Sequence, residues 1–75
     1  MTSEQIDNIF TYHRPFGTQQ DRYVSIRDTA KSLAVLVNAA CPESREKALA
    51  LTNLQQAVMW ANAAIAINEK EPANA

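Results

Sequence analysis

The sequence predicts an all-α protein, with a short N-terminal helix followed by a long antiparallel hairpin of two helices. Two long segments carry apolar residues at alternating spacings of three and four, which is the period of an amphipathic helix. The first series is Tyr23, Ile26, Ala30, Leu33 and Val37, and the second is Leu51, Leu54, Val58, Ala61 and Ile65. Two long helices joined by a short turn pack antiparallel, so one helical-hairpin domain is expected.

Capping residues and helix breakers predict where the elements begin and end. Thr2 or Ser3 can cap the first helix, and Gln5, three residues after Thr2, would complete a capping box. Pro15 and Gly17 then impose a loop. The predicted segments are residues 1–18 for the first helix and its loop, 19–40 for helix two, 43–69 for helix three and 70–75 for a polar, frayed tail.

Composition indicates that the chain associates with other copies of itself. A domain of 75 residues hides only about 60% of its unfolded surface, and such domains usually need a disulfide, a metal or partner subunits. Cys41 is the one cysteine, and one His with one Cys does not supply a metal site. Because 47% of the residues are hydrophobic and Val35 and Leu36 lie off the main apolar face, we expect a homo-oligomer.

Charge and hydropathy limit the kinds of binding partner that the chain is expected to have. The formal net charge of −1 disfavours broad binding to DNA or RNA, although a small anionic ligand stays open. The N-terminus lacks the basic start and apolar run of a signal peptide, and the apolar runs are far shorter than the ~20 residues that span a bilayer. We therefore expect no membrane partner and a soluble, intracellular protein.

Catalysis is not expected, and neither is a cofactor. The chain has one histidine and one cysteine, and both lie at predicted element junctions where nothing identifiable orients them. There is no glycine-rich phosphate loop, and no carboxylate pair has a helical spacing that suggests glycosidase or metal chemistry. The sequence therefore favours a binding protein over an enzyme.

The loop within "NIFTYHRPFG" and the start of helix two hold the candidate ligand contacts. The ring of Tyr12 can stack on a nucleobase, and the planar guanidinium of Arg27 suits a phosphate. Thr29 adds a hydroxyl, and Lys31 lies one helical turn beyond Arg27 on the same face. Simpler structural interpretations are also possible for these residues. Tyr12 would be a half-buried packing residue, Arg27 a solvated surface residue, and His13 a loop residue that forms a hydrogen bond.

Three longer stretches, "FTYHRPFG", "RYVSIRDTAKSLA" and "PESREKALALTNLQQAVMWANAAIA", together resemble one phage family. It is the anti-CBASS protein 2 family, whose members sequester the cyclic oligonucleotides with which the bacterial CBASS defence signals. The resemblance runs from about Ile6 to Asn68, and a related hairpin occurs in sponges that counter the Thoeris defence. It implies a phage-encoded homohexamer in the cytoplasm of the infected host that holds its ligand without cleaving it.

The resemblance also implies roles for particular residues. Family members bind cyclic dinucleotides, such as 3′,3′-cyclic GMP-AMP, between two protomers, with stacking assigned here to Tyr12 and phosphate contact to Arg27 or Lys31. Some members bind cyclic trinucleotides at a separate site through a threonine, here Thr29, and an arginine. Ile67 stands where that arginine is expected, and an apolar side chain makes no charge-assisted bond to phosphate. This departure counts against trinucleotide binding, which the resemblance alone would allow.

The apolar residues outside the hairpin face also fit a protein-binding function. Met59, Trp60 and Ile67 lie on a flank of helix three that the hairpin face does not use. The alternative hypothesis is a helical module that binds another protein through this flank. Replacement of Tyr12 would leave such a module unaffected, whereas replacement of Trp60 would impair it.

Overall fold

The computed structural model describes residues 1–72, and this part of the chain consists of three helices without a strand. They are α1 (Ser3–Ile9), α2 (Gln19–Ala40) and α3 (Arg45–Asn68). The prediction of an all-α chain is confirmed, and α2 and α3 form the hairpin. Of the predicted tail, residues 73–75 lie outside the described residues. Within residues 1–72, no helix is both long and apolar enough to cross a membrane.

Local sequence explains how α1 begins and how the chain turns into α2. Thr2 is the N-cap: its side chain accepts a hydrogen bond from the Gln5 backbone N–H, and the Gln5 side chain accepts one from the Thr2 backbone N–H. The predicted capping box is therefore confirmed. Gly17 has a φ of 56°, a left-handed conformation that side chains other than glycine rarely adopt. The chain then enters α2 at Gln19.

The predicted bounds of helix three, 43–69, were wrong at both ends. Cys41 is extended, as expected for a residue that precedes proline. The Ser44 hydroxyl accepts a hydrogen bond from the Lys47 backbone N–H at 3.1 Å, so Ser44 is the N-cap and α3 begins at Arg45. At the other end Glu69 is extended, with φ −98° and ψ 139°, so α3 ends at Asn68. The turn between the helices is thus two residues longer than predicted.

The hairpin is a single layer of two helices. Gln19, at the start of α2, bonds to Glu69 just past the end of α3, which shows that the helices are antiparallel. The molecule measures 51 × 29 × 13 Å. Its Cα radius of gyration is 16.0 Å, whereas a compact domain of this length has about 11 Å. The third dimension is therefore little more than the diameter of one helix, about 10–12 Å.

A single chain leaves its apolar residues accessible. No hydrophobic side chain is fully buried within residues 1–72, although the predicted apolar rows do line the seam between α2 and α3. The chain exposes 6095 Å², against about 4,600 Å² for a compact monomer of this mass. The excess is roughly twice the ~800 Å² that one partner buries in a standard protein interface.

We expect the protein to be associated in solution, because a hairpin without a buried apolar core gains too little from folding alone. Sedimentation equilibrium should give a mass of several chains, and the thermal midpoint should rise with protein concentration. A particle of 8.3 kDa whose cooperative unfolding does not depend on concentration would contradict this expectation.

Candidate functional site

The loop after α1 presents the Tyr12 ring to solvent. Tyr12 is 82% exposed, so the reading of this residue as half-buried packing does not hold for the single chain. Its neighbours on both sides bond back to α1: the Thr11 hydroxyl donates to the Asp7 carbonyl, and His13 Nε2 lies 2.6 Å from the Asn8 carbonyl oxygen. Because a carbonyl oxygen only accepts, Nε2 of His13 carries the proton. The backbone on either side of the exposed ring is therefore anchored.

Beside this loop lies a small cavity, here called the Tyr12 cleft. Its volume is about 270 Å³, below the roughly 300–1,000 Å³ typical of small-molecule pockets. Basic and acidic side chains both line it: Arg14, Lys70, Glu69 and Glu71. Arg14 and Glu71 form an exposed ion pair at 3.5 Å. The cleft of one chain is therefore small, and its charges largely compensate one another.

A set of polar side chains, here called the clasp, joins the end of the loop to the end of α3. It comprises Gln19, Arg22 and Glu69. Arg22 Nη1 and Nη2 donate to Glu69 Oε2 and Oε1 at 2.7 and 2.6 Å, the fork geometry that guanidinium and carboxylate favour. Gln19 Nε2 donates to Glu69 Oε1 at 3.1 Å. One carboxylate thus accepts three hydrogen bonds from the first turn of α2.

The clasp perturbs the ionisation of both charged partners. The hydrogen bonds from Arg22, and then from Gln19, lower the pKa of the Glu69 carboxyl from 4.5 to about 2, against a smaller opposing effect of desolvation. The hydrogen bond from Arg22 to Glu69 likewise raises the pKa of the guanidinium. Since the Arg22 and Glu69 side chains are 41% and 39% exposed, solvent screens the pair and its contribution to stability is modest.

The hairpin seam carries two apolar grooves that share a floor of Ala30, Leu54 and Val58. The Thr29 groove is lined by Ile26, Thr29, Leu33, Ala57 and Ala61. The Arg27 groove is lined by Arg27, Lys31, Ala34, Leu51, Gln55 and Met59. On α2, Thr29 and Leu33 lie on one side of the shared residue Ala30, and Arg27 and Lys31 lie on the other. The two grooves therefore occupy opposite faces of the helical layer.

The structure brings some of the predicted site residues together and separates others. Arg27 and Lys31 lie in one groove, and both are exposed. Thr29 lies in the groove on the opposite face, and Tyr12 lies in the cleft at the end of the hairpin. A ligand held by both Tyr12 and Arg27 therefore has no single cavity within one chain.

Two further predicted positions are found beside the N-terminal arm. His13 is half-buried and bonded to the Asn8 carbonyl, as its reading as a hydrogen-bonding loop residue requires. Ile67 lines the Tyr12 cleft and a neighbouring cavity against α1, and its carbonyl oxygen accepts a hydrogen bond from Asn8 Nδ2 at 2.9 Å. It does not line the Thr29 groove. Within residues 1–72, no three His, Cys, Asp or Glu side chains are grouped as metal ligands.

The clasp was missed by the sequence analysis, which placed Glu69 as the last residue of helix three and gave it no partner. Gln19 and Arg22 are three residues apart at the start of α2, so they share a face. An antiparallel hairpin places that face beside the residues that follow α3, where Glu69 is the first acidic residue. A search for charge complementarity between the two ends would have found this pair.

Comparison with protein families gives a match over most of the chain. A family model described as "Acb2/Tad1, hairpin domain" matches residues 2–66. This range covers most of the chain and includes Tyr12, Arg27, Thr29 and Lys31. We found no similar chain among curated proteins and none among solved structures.

Acid is expected to weaken the clasp. Because the pKa of Glu69 is lower in the folded chain than in the unfolded one, its stabilisation is present above about pH 4.5 and is lost as the pH falls through about 2. Thermal midpoints of the unmodified protein and of Glu69→Gln should be compared between about pH 6 and pH 2. The difference in midpoint should shrink towards the acid end, and a difference that stays constant with pH would contradict the expectation.

Proposed function

The chain belongs to the Acb2/Tad1 hairpin-domain family, and we propose that it is a phage-encoded sponge for a cyclic dinucleotide signal of the host. The protein would bind a ligand such as 3′,3′-cyclic GMP-AMP in the cytoplasm of the infected bacterium. It would hold the ligand without cleaving it and so keep the effectors of CBASS inactive. Such a protein acts by competing for the signal, so it needs high affinity and must outnumber its ligand.

The observation that carries this proposal is the exposed ring of Tyr12 in an anchored loop. Tyr12 is 82% exposed, so its ring is accessible to a ligand, and a base that stacks on an aromatic side chain gains roughly 1–3 kcal/mol. The bonds of Thr11 and His13 to α1 hold the backbone on both sides. A loop that is ordered before the ligand arrives loses little conformational freedom on binding.

Phosphate recognition is assigned to Arg27, with Lys31 beside it. The two side chains lie one helical turn apart, and both line the Arg27 groove. The Tyr12 cleft supplies little net positive charge, because its two basic side chains are matched by two carboxylates and Arg14 is paired with Glu71. A planar guanidinium can form two parallel hydrogen bonds to a phosphate, and the neighbouring ammonium adds charge without that geometry.

A second copy of the chain would complete the site. Tyr12 and Arg27 line different cavities of one chain, and the Tyr12 cleft is smaller than typical ligand pockets. The accessible surface in excess of a compact monomer leaves room for roughly two standard interfaces per chain. We therefore include self-association in the proposal, with the homohexamer of the sponge family as the expected form. A two-fold axis between copies would also match a ligand that carries two phosphates.

The proposal is limited to cyclic dinucleotides. Thr29, the residue that the resemblance connects with trinucleotides, lies on the face opposite Arg27. Ile67 replaces the expected arginine and lies against α1 rather than in the Thr29 groove. A trinucleotide would therefore lack a cation at this position to neutralise its phosphates.

An alternative function is supported by one observation. Trp60 is 74% exposed, and Met59 beside it is also largely exposed. Exposed large apolar side chains of this kind mark interfaces with other proteins. In the sponge hypothesis a second copy of the chain covers them, and in the alternative hypothesis a different protein does.

Calorimetric titration with 3′,3′-cyclic GMP-AMP tests the proposal. We expect tight binding by the assembled protein, and heating of the complex should release the unchanged nucleotide, because sequestration breaks no covalent bond. Tyr12→Ala should weaken binding about 5- to 150-fold, which corresponds to the loss of one stacked base, while Tyr12→Phe should retain most of the affinity. Both variants should keep the assembled mass.

Three outcomes would contradict the sponge hypothesis. They are the absence of heat and of retained ligand with every cyclic dinucleotide tried, recovery of a cleaved nucleotide, and unchanged affinity in Tyr12→Ala. The first outcome, together with loss of a protein partner in Trp60→Ala, would favour the protein-binding module.

A further inference from the structure

Polar contacts, rather than apolar burial, hold the arm formed by α1 and its loop against the hairpin. No residue of α1 is buried, and the apolar side chains of Ile6 and Ile9 remain exposed. The helix makes only sparse contact with α2 and α3. Its direct hydrogen bond to the hairpin runs from Asn8 Nδ2 to the Ile67 carbonyl at 2.9 Å. The position of the Tyr12 loop therefore depends on how its two ends are bonded.

The second end of the loop is bonded through the clasp. Gln19 is 2% exposed, the most buried residue of the described chain, and its side chain has two fixed partners. Its Oε1 accepts from the Phe16 backbone N–H at 3.1 Å, and its Nε2 donates to Glu69 Oε1 at 3.1 Å. Because Oε1 only accepts and Nε2 only donates, both partners are satisfied in one amide orientation. Gln19 thereby connects the loop backbone to Glu69.

Arg22 makes a parallel connection. Its Nε donates to the Thr18 hydroxyl at 3.1 Å, while its two terminal nitrogens donate to the Glu69 carboxylate. Two chains of hydrogen bonds therefore connect Glu69 to the loop. One passes through Gln19 to Phe16, and the other passes through Arg22 to Thr18. Both oxygens of the Glu69 carboxylate are occupied by these partners. The carboxylate thus acts on the loop and not as a free acceptor for a ligand.

We propose that Glu69 is a positioning residue for ligand binding, which fixes the loop that carries Tyr12 through its bonds to Gln19 and Arg22. This inference rests on the proposed function, since it concerns affinity for the cyclic dinucleotide. The residue lies outside the range 2–66 that the family model matches, so the hairpin match does not include it. Loss of the clasp releases the Phe16 N–H and the Thr18 hydroxyl from their partners, and a loop that must then order on binding lowers affinity.

The chain offers a matched control for this proposal. Glu43 forms an ion pair with Lys47 at the opposite end of the hairpin. The 24 residues of α3 separate the two ion pairs by about 36 Å. Glu43→Gln and Glu69→Gln therefore make the same change in charge and shape, but only Glu69→Gln disturbs the clasp.

The first experiment needs no ligand. Hydrogen exchange of the Phe16 amide should quicken on the order of tenfold in Glu69→Gln and stay unchanged in Glu43→Gln, while amides in the middle of α2 and α3 keep their protection in both. Equal exchange of Phe16 in the two variants would show that the clasp does not hold the loop and would overturn the proposal.

The second experiment measures affinity for 3′,3′-cyclic GMP-AMP in a double-mutant cycle. Glu69→Gln alone should weaken binding on the order of tenfold relative to Glu43→Gln. In the Tyr12→Ala background, Glu69→Gln should cause little further loss, because the ring that it positions is gone. An equal loss in both backgrounds indicates a general structural role, and no loss in either indicates no role; each overturns the proposal.

The failure of the proposed function is distinguishable from failure of this inference. If the unmodified protein binds no cyclic dinucleotide, the sponge hypothesis fails, and so does the role of Glu69 in affinity. The exchange experiment still shows whether the clasp orders the loop. If the unmodified protein binds and the cycle shows additive losses, the sponge hypothesis stands and the positioning role of Glu69 does not.

Discussion

One layer of two helices cannot cover its own faces, and this constraint governs the rest of the molecule. Seam residues such as Ala30, Leu54 and Val58 form the floor of grooves that open on both sides. Stable domains pack at least two layers around a core, and the 13 Å thickness of this chain leaves out the second layer. We therefore expect self-association on grounds of stability, independently of the proposed function. Under this expectation, a second chain would border any site on the groove faces.

Hydrogen bonds, rather than apolar packing, hold the N-terminal arm against the hairpin. The arm before α2 buries no residue of its helix, so the position of Tyr12 depends on Asn8 at one end of the loop and the clasp at the other. Such bonds have fixed lengths and directions, and they orient a loop more sharply than contact between a few apolar side chains. This arrangement leaves the aromatic ring exposed while its backbone is held. An exposed and anchored ring is suited to stacking on a flat ligand.

Periodicity and capping predicted most of the fold, because both depend on residues close in sequence. The alternating three-four spacing predicted the hairpin, and Thr2 with Gln5 predicted the start of α1. The start of α3 was placed two residues early, because the sequence analysis did not identify Ser44 as the N-cap. The clasp was missed because Gln19 and Glu69 are far apart in sequence, and local patterns carry no information on their contact. The geometry that would join Tyr12 to Arg27 is not predicted by local patterns for a similar reason, since the proposal places the two residues on different copies of the chain.

The central claim is that Tyr12 of one chain and Arg27 of another act in a single ligand site. Complementation tests it directly: Tyr12→Ala chains and Arg27→Ala chains are unfolded together, refolded as mixed assemblies and titrated with 3′,3′-cyclic GMP-AMP. Each variant alone should bind weakly, and the mixture should recover strong binding at a fraction of its sites, where an intact Tyr12 meets an intact Arg27 of a neighbouring chain. Mixed assemblies of normal mass that bind no better than the separate variants would contradict the claim.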